Sequence, residues 1–476
     1  MLTIAEAFDD PALFGPWFLG PSWSAWMAIL KAAFAIPMSD GEIELYRSVA
    51  QRDPPTRRVR ELWVIGGRRG GKDSIASAIA TWFAAFVDYE GLLRPGESAN
   101  VMCLAVDRLQ ARIVLKYTKA YFERIPMLGG LITRETIDGL ELSNNVELSV
   151  IANNFRGVRG RSIACAIFDE CAYYRDDNSA SPDTETYSAL VPGLATIPGS
   201  MLIGISSPYR RGGLLYEKWR DHYGKNDDDV LVIQAPSRVL NPTLDQKIVD
   251  AAMARDPQVA RAEWLAQWRD DVSTFIPREV IDIAVDADVV VRPPVPGTRY
   301  FSFCDPSGGV GDSFTAAVAH GEGETAILDC LVEIPAPFNP TEATGSIAAT
   351  LKSYGLRETV GDRYAAAWTV DAFSKCGIAY KHSQRDRSAI YADSLPIFMS
   401  GRARLIDNTK LVAQLSNLER RTSSTGRDRI DHPGGAHDDL ANAAAGALGL
   451  ATGSSEPGWI AYARDMVARA YFEGVN

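Results

Sequence analysis

The stretch Glu61-Leu62-Trp63-Val64-Ile65-Gly66-Gly67-Arg68-Arg69-Gly70-Gly71-Lys72-Asp73-Ser74-Ile75-Ala76-Ser77-Ala78 decides how the rest of the chain is read. Leu62 to Ile65 predict a buried strand, and the Ala-rich run after Ser74 predicts a helix to about Val87. Between them Gly66, Gly71 and Lys72 satisfy the spacing G-x-x-x-x-G-K. Backbone N–H groups of such a loop wrap a polyphosphate, the lysine reaches its outer oxygens, and the helix points its positive end at the same anion. Gly66, Gly67, Arg68, Arg69, Gly70, Gly71, Lys72, Asp73 and Ser74 are therefore the candidate ATP-binding set. One position departs from the pattern: Asp73 stands where Ser or Thr holds Mg²⁺. Either Asp73 or Ser74 takes that role, or the metal is held from elsewhere. A Gly-rich turn without a ligand has the same letters, but the strand and helix on either side favour the nucleotide.

Working outward, a strand Asn100–Val106 and a helix from about Leu109 to Arg124 continue a βαβα alternation, which predicts a parallel sheet covered by helices. Leu140–Ile151 reads as a hairpin turning at Asn144-Asn145. The apolar run Ile163–Phe168 ends in Asp169-Glu170. A buried strand closing in two carboxylates can order Mg²⁺ through Asp169 and orient and deprotonate the attacking water through Glu170. Ser206-Ser207-Pro208 caps another buried strand, Met201–Ile205, where small hydroxyls can sense a γ-phosphate. Arginines suit the charge that develops on that phosphate: Arg68 or Arg69 in cis, Arg156, Arg159 or Arg161 from a neighbouring subunit. A solvated loop or a DNA-phosphate contact explains the last three equally. Upstream, Trp17, Trp23, Trp26, Tyr46, Arg47 and Gln51 either meet an adenine ring or staple N-terminal helices to the core. Trp264 and Trp268, four apart in a helical region from Leu244 to Arg269, read as core.

Composition narrows the class. At 476 residues the chain exceeds one ordinary core, so two or three domains are expected. Its formal net charge of −11 excludes a chain that is basic throughout, yet a DNA enzyme needs only a local basic lining. The six cysteines show no ligand spacing and read as reduced core residues. No signal-like N-terminus and no apolar run of about 18 residues is present, so neither export nor a membrane span is expected.

Prolines at 277, 293, 294 and 296 suggest a linker over 272–298 between a first domain, 1–271 (with 1–60 as its N-terminal helical, adenine-side region), and a second, 299–452; 453–476 reads as a tail. In the second domain Asp305 ends one strand, Asp362 ends a later strand, and Asp438-Asp439 open a helix. Carboxylates delivered from separate elements to one sheet edge can hold two Mg²⁺ or Mn²⁺ ions roughly 3.5–4 Å apart for phosphodiester cleavage. Each has a plainer reading as a turn, a strand end or an N-cap. Asp312 and Asp371 are rivals; Asp371, inside a helix, is expected to be less well aimed than Asp362.

The order of these motifs resembles the large terminase subunits of tailed bacteriophages. Gly66–Ser74 matches the family's Walker A motif, Ile163–Glu170 its Walker B motif with the catalytic Glu, and Ser206-Ser207-Pro208 its coupling motif. Asp305-Pro306 with Gly308-Gly309, Gly361-Asp362-Arg363-Tyr364 and His437-Asp438-Asp439 match its nuclease motifs. The resemblance implies an α/β protein with an N-terminal P-loop NTPase domain on a mostly parallel sheet and a C-terminal RNase H-like α/β nuclease domain. It further implies ATP-driven translocation of viral dsDNA into a procapsid and metal-dependent cleavage of concatemeric DNA in the host cell cytoplasm. The implied partners are the portal protein, the small terminase subunit and further copies in a ring, typically of five. The implied roles fall on Lys72, Asp169 and Glu170 for ATP, on Asp305, Asp362 and Asp438 or Asp439 for metal, and on Arg159 acting in trans. Gene transfer agents and integrated prophages carry relatives with the same motifs. Two other readings fit the residues: a DNA-remodelling helicase or repair ATPase whose second domain binds without cutting, and an assembly protein using ATP as a switch.

Overall fold

The computed structural model describes residues 2–106, 108–152, 158–174, 182–362, 367–422, 428–434 and 436–452. Arg156, Arg363, Tyr364 and the tail therefore lie outside the described residues. The chain divides into two compact units, the first ending at Asp270 and the second beginning at Asp271.

The first unit is built on β1 (Glu61–Gly66), β2 (Ala99–Ala105), β3 (Ile132–Thr136), β4 (Gly139–Leu142), β5 (Val146–Ala152), β6 (Ser162–Asp169), β7 (Met201–Ser206) and β8 (Val230–Ala235). These form one sheet in the order β3-β4-β5-β2-β6-β7-β1-β8. Every pair from β5 to β8 is parallel. Only β3 and β4 add an antiparallel edge. Central strands covered on both faces must be apolar throughout, and β2 and β7 are buried along their whole length. The expected hairpin at Asn144-Asn145 is β4–β5. The additional strand β3 was not foreseen because Thr133, Arg134 and Glu135 are exposed on an edge and give no alternation.

Strand order positions the chemistry. β7 lies between β1 and β6, and the register pairs Ile65 with Ser206 and Asp169 with Ile205. The ends of the three strands are thus level, and Gly66, Ser206 and Asp169 share one carboxyl edge, where open α/β sheets bind ligands. Residues 1–60 belong to this unit: Phe8, Phe14, Trp26, Ile29 and Tyr46 are buried in one core with Ile79 and Phe83 of the helix Lys72–Ala85. The helical region expected over Leu244–Arg269 is two helices, Gln246–Arg255 and Pro257–Leu265. Pro257 cannot donate a hydrogen bond to the preceding turn, so it opens the second helix, which Asp256 caps.

The second unit contains β9 (Val272–Thr274), β10 (Val285–Asp286), β11 (Tyr300–Asp305), β12 (Phe314–Glu322), β13 (Thr325–Ile334), β14 (Glu358–Gly361), β15 (Ala379–His382), β16 (Ala403–Ile406), β17 (Glu419–Thr422) and β18 (Asp428–Asp431). Its main sheet has the order β10-β16-β13-β12-β11-β14-β15. β11, β12 and β13 form an antiparallel meander, and β14 and β15 run parallel to β11 on its other side. This is the RNase H-like arrangement. The helix Asp439–Ala451 lies on the sheet; its alanines and Gly446 permit the approach, for a Cβ at Gly446 would meet the Phe303 ring at 2.3 Å.

The stretch 272–298 is not a free linker. β9 pairs with β17, β10 pairs with β16, and Ile276 and Ile281 are fully buried. Its prolines flank short elements of the second unit; Pro277 directly precedes the helix Arg278–Ala284.

Candidate active sites

The loop after β1 is held from outside by its carbonyl groups. Ser207 Oγ donates to Gly66 O at 3.1 Å, Ser237 Oγ to Arg68 O at 2.7 Å, Asn241 Nδ2 to Arg69 O at 3.0 Å and Trp26 Nε1 to Gly70 O at 2.6 Å. With the carbonyls committed outward, the first N–H groups of the helix Lys72–Ala85, at Lys72, Asp73 and Ser74, face an incoming anion without a carbonyl one turn back. Glycine is required at Gly67, where a Cβ would lie 2.2 Å from Ser237 Oγ, and at Gly71, whose φ is +83°.

Lys72 is 6% exposed and turns toward the strand ends. Its Nζ lies 3.3 Å from Glu170 Oε1 and donates to Ser207 Oγ at 3.2 Å. Glu170 has a left-handed backbone (φ 50°), and its N–H donates to Ile205 O at 2.7 Å. Its Oε2 accepts from Ser206 Oγ at 3.1 Å and from Ser207 N at 3.2 Å. Ser206, the last residue of β7, and Ser207 after it therefore join the phosphate loop to the catalytic carboxylate candidate. Asp169 is 1% exposed, and burial, then Glu170 and Asp73, push its carboxyl well above the ordinary range. Its Oδ1 has no hydrogen-bond partner. A buried carboxylate oxygen left bare suits a divalent cation.

The aromatic residues upstream divide. Trp26 braces the loop and Tyr46 is core, whereas Trp17 and Trp23, with Phe18, Tyr117, Tyr121 and Arg124, line a cavity of about 340 Å³ that reaches Ser74. Tyr117, Tyr121 and Arg124 were not singled out in the sequence; their spacing on the helix Arg108–Arg124 is the signal that was there. Arg68 pairs with Glu263 at 3.3 Å. Arg69 is exposed. Arg159 and Arg161 lie before β6, at the opposite end from Asp169, on the wall of a cavity of about 920 Å³.

In the second unit β11 and β14 deliver two carboxylates side by side: Cys304 pairs with Gly361, and Asp362 N donates to Cys304 O at 3.2 Å. Asn442, four residues after Asp438 on the covering helix, donates Nδ2 to Asp305 Oδ2 at 2.8 Å. Its own Oδ1 is buried without a partner. Burial pushes the Asp305 carboxyl up to about 7, against Arg387 and Asn442, which favour the ionised form.

The adjacent pair at the helix start is not equivalent. Asp438 is 1% exposed, with Oδ1 accepting from Arg387 Nη1 at 2.9 Å and Oδ2 from Tyr391 Oη at 2.8 Å. Asp439 is half-buried; its Oδ2 accepts from Ser313 N at 3.3 Å, and burial, then Asp438 and Asp312, push its carboxyl up to about 6. Asp312, His437 and Asp439 bring ligand atoms within 4.8 Å of one another, as do Asp431, His432 and Asp438. Asp371 is exposed and tied to Lys375 at 2.6 Å. Arg387 is the central cation: burial works against its charge, but Asp438 and Asp305, with Asp362 beyond them, raise its pKa. A cluster of desolvated carboxylates and a bare amide oxygen fits divalent metal ions with oxygen ligands.

Among the described residues no helix is long and apolar enough to cross a membrane. No protein-family model and no curated protein matches the sequence. Among solved structures, the chain is similar to the HK97 bacteriophage large terminase, with 16% identity over 91% of this chain and 95% of that one and a TM-score of 0.41. It is also similar to the large terminase of a thermophilic bacteriophage in complex with ADP, with 13% identity over 88% of this chain and 97% of the other and a TM-score of 0.38. Over 37% of its length the chain is also similar to the large terminase nuclease of thermophilic phage G20c with bound magnesium, with 16% identity, 96% of that chain covered and a TM-score of 0.32.

Proposed function

We propose that this chain is a large terminase subunit, in which the first unit hydrolyses ATP to drive viral dsDNA into a procapsid and the second cuts concatemeric DNA. The observation that carries the reading is the pairing, in one chain, of the Lys72–Glu170–Ser207 constellation on a parallel sheet with a desolvated carboxylate cluster on an RNase H-like sheet.

In the first unit the loop N–H groups and Lys72 take the polyphosphate, which displaces Lys72 from Glu170. Glu170, held by Ser206 and Ser207, then accepts a proton from the attacking water; such bases contribute about 10²–10⁴ in rate. Asp169 and Asp73 would hold Mg²⁺, which neutralises phosphate charge when bound. Loss of the γ-phosphate returns Lys72 to Glu170, and Ser206 and Ser207 carry the change into β7. The aromatic cavity beside Ser74 takes the adenine.

In the second unit Asp305, Asp362 and Asp439 would hold Mg²⁺ or Mn²⁺, which supply an activated water and stabilise the leaving oxygen when bound. Asp438, already bonded to Arg387 and Tyr391, positions the helix start. Arg387 offers its guanidinium to the phosphodiester. The portal protein, the small terminase subunit and other copies of this chain in a ring are the partners this activity requires, and the site of action is the host cytoplasm.

The test is plasmid cleavage by the purified chain in EDTA, Mg²⁺ and Mn²⁺, beside Asp362→Ala. Metal-dependent cutting that disappears in the variant supports the reading. Absence of cutting by folded protein with every metal would overturn the nuclease half.

A further inference from the structure

Asn442 is a fully buried amide in a stretch of helix packed otherwise by alanine, and only half of it is bonded. It lies in the first turn of the helix Asp439–Ala451, between the buried Ala441 and Ala443, with 0% exposure. Its Nδ2 donates to Asp305 Oδ2 at 2.8 Å, while its Oδ1 is buried without a partner. A buried acceptor left unpaired lowers stability, and a half-satisfied amide is worse in a core than an apolar side chain. Stability therefore does not account for Asn442. The one bond it makes, to Asp305, does.

The frame around that bond is fixed from several sides. Asp305 ends β11 opposite Thr315 of β12, and Thr315 Oγ1 donates to Asp439 O at 2.8 Å. Ala441 N donates to Gln414 Oε1 at 3.0 Å, and Asn442 N to Asp438 O at 2.8 Å. Strand end and helix start are thus held in register, and the amide meets the carboxylate from a set direction. The nearest cation, Arg387 Nη2, lies 3.9 Å from the same oxygen, Oδ2. Among the described residues no hydrogen bond reaches Oδ1. Asp305 is left with one oxygen to give.

We propose that Asn442 is a positioning residue that restricts Asp305 to binding a cation through Oδ1 alone, and that it thereby sets the second unit's preference for Mg²⁺ and Mn²⁺ over Ca²⁺. This rests on the metal-binding reading of Asp305 and deepens it. Mg²⁺ demands a small, near-octahedral set of oxygens, and Mn²⁺ accepts one. Ca²⁺ is larger, takes more oxygens and readily uses both oxygens of one carboxylate. An amide that occupies Oδ2 withholds the second oxygen from the larger ion and costs the smaller ones nothing. Partners that orient a metal-binding carboxylate in this way carry a large share of a site's affinity.

The experiment is calorimetric titration of Mn²⁺ and of Ca²⁺ into the metal-free full chain, for the natural protein, Asn442→Leu, Asn442→Ala and Leu448→Ala. Asp305→Asn identifies the heat that belongs to the second unit, and circular dichroism checks that each protein is folded. Asn442→Leu keeps the side-chain volume and loses the donor; Leu448→Ala loosens the buried face of the same helix farther along. At the Asp305-dependent site the natural protein is expected to favour Mn²⁺ over Ca²⁺. Both Asn442 variants are expected to lower that ratio by about 10-fold or more, and Leu448→Ala to leave it unchanged. A ratio that stays the same in folded Asn442→Leu and Asn442→Ala overturns the inference, as does an equal fall in Leu448→Ala or the lack of any preference in the natural protein. If Asp305→Asn removes no metal-binding heat, the metal-binding reading of Asp305 itself fails, which is a separate and recognisable result.

Discussion

Lys72 Nζ stands 3.3 Å from Glu170 Oε1, closing the phosphate loop onto the carboxylate that would activate water. On the proposed function, ATP binding and catalytic readiness would be the same event: the γ-phosphate would take the lysine and leave Glu170 free to accept a proton. Glu170→Gln keeps the hydrogen bond from Ser207 N but cannot accept that proton. ATP turnover should fall at least about 100-fold. Nucleotide binding should be retained or tightened, because Lys72 no longer has an anionic rival. Phosphate release and fluorescent-nucleotide binding, measured side by side, decide it; loss of both together would count against Glu170 as the base.

Arg387 and Asp438 make the corresponding pair in the second unit, at 2.9 Å. Asp438 is buried, so truncating its partner leaves a poorly compensated charge. Arg387→Ala should cost about 3 kcal/mol, seen as a lowered melting temperature in EDTA. Mn²⁺ should raise the melting temperature more in the variant than in the natural protein, since the cation replaces charge the guanidinium supplied. An unchanged melt in EDTA would show that Tyr391 and solvent suffice for Asp438.

The two second-unit carboxyls with raised values give a pH signature. Asp305 is pushed to about 7 and Asp439 to about 6, both from an ordinary value of 3.8. Between about pH 4 and pH 7 the metal-free folded state then binds more protons than the unfolded chain, so stability falls as pH rises through that window. Metal binding requires the ionised forms and runs the other way, so cleavage should increase from pH 6 to pH 8. Melts in EDTA at pH 5, 6, 7 and 8 test the first statement, and Asp305→Asn should flatten the slope. An identical slope in the variant would remove Asp305 from the account.

How much of this was legible in the sequence depends on whether the signal was local. The phosphate loop, Asp169-Glu170 and the strand ends at Asp305 and Asp362 were readable, because a buried strand closing in a charged or glycine-rich turn is written in consecutive residues. The α/β class followed from alternation of short apolar runs and helical periods. Arg387 and Tyr391 were not readable: they sit on the helix Arg387–Met399, far in sequence from every carboxylate they hold, and only the fold brings them to Asp438. Trp26 bracing Gly70 was hidden for the same reason. The stretch 272–298 was misread because Pro signals a break in local structure, whereas β9 and β10 gain their order from the distant partners β17 and β16. Asn442 could have been found, since it follows Asp438 by one helical turn and so lies on the same face.

Arg159 cannot serve the proposed nucleotide site of its own chain. It precedes β6 while Asp169 ends it, and the strand alone spans roughly 23 Å at about 3.3 Å per residue. A catalytic role therefore needs a second subunit that places its Arg159 against this subunit's phosphate loop, a head-to-tail contact of the kind that closes into a ring. With DNA and procapsids added, Arg159→Ala and Glu170→Gln proteins should each be nearly inactive in ATP turnover. Mixed in equal amounts they should recover turnover at about a quarter of the interfaces, where an intact Glu170 meets a neighbour's intact Arg159. Recovery above both single variants supports a shared site. A mixture no better than its components would assign Arg159 to the cavity it lines with Glu97, Arg161 and Glu185, as a structural or DNA-facing residue.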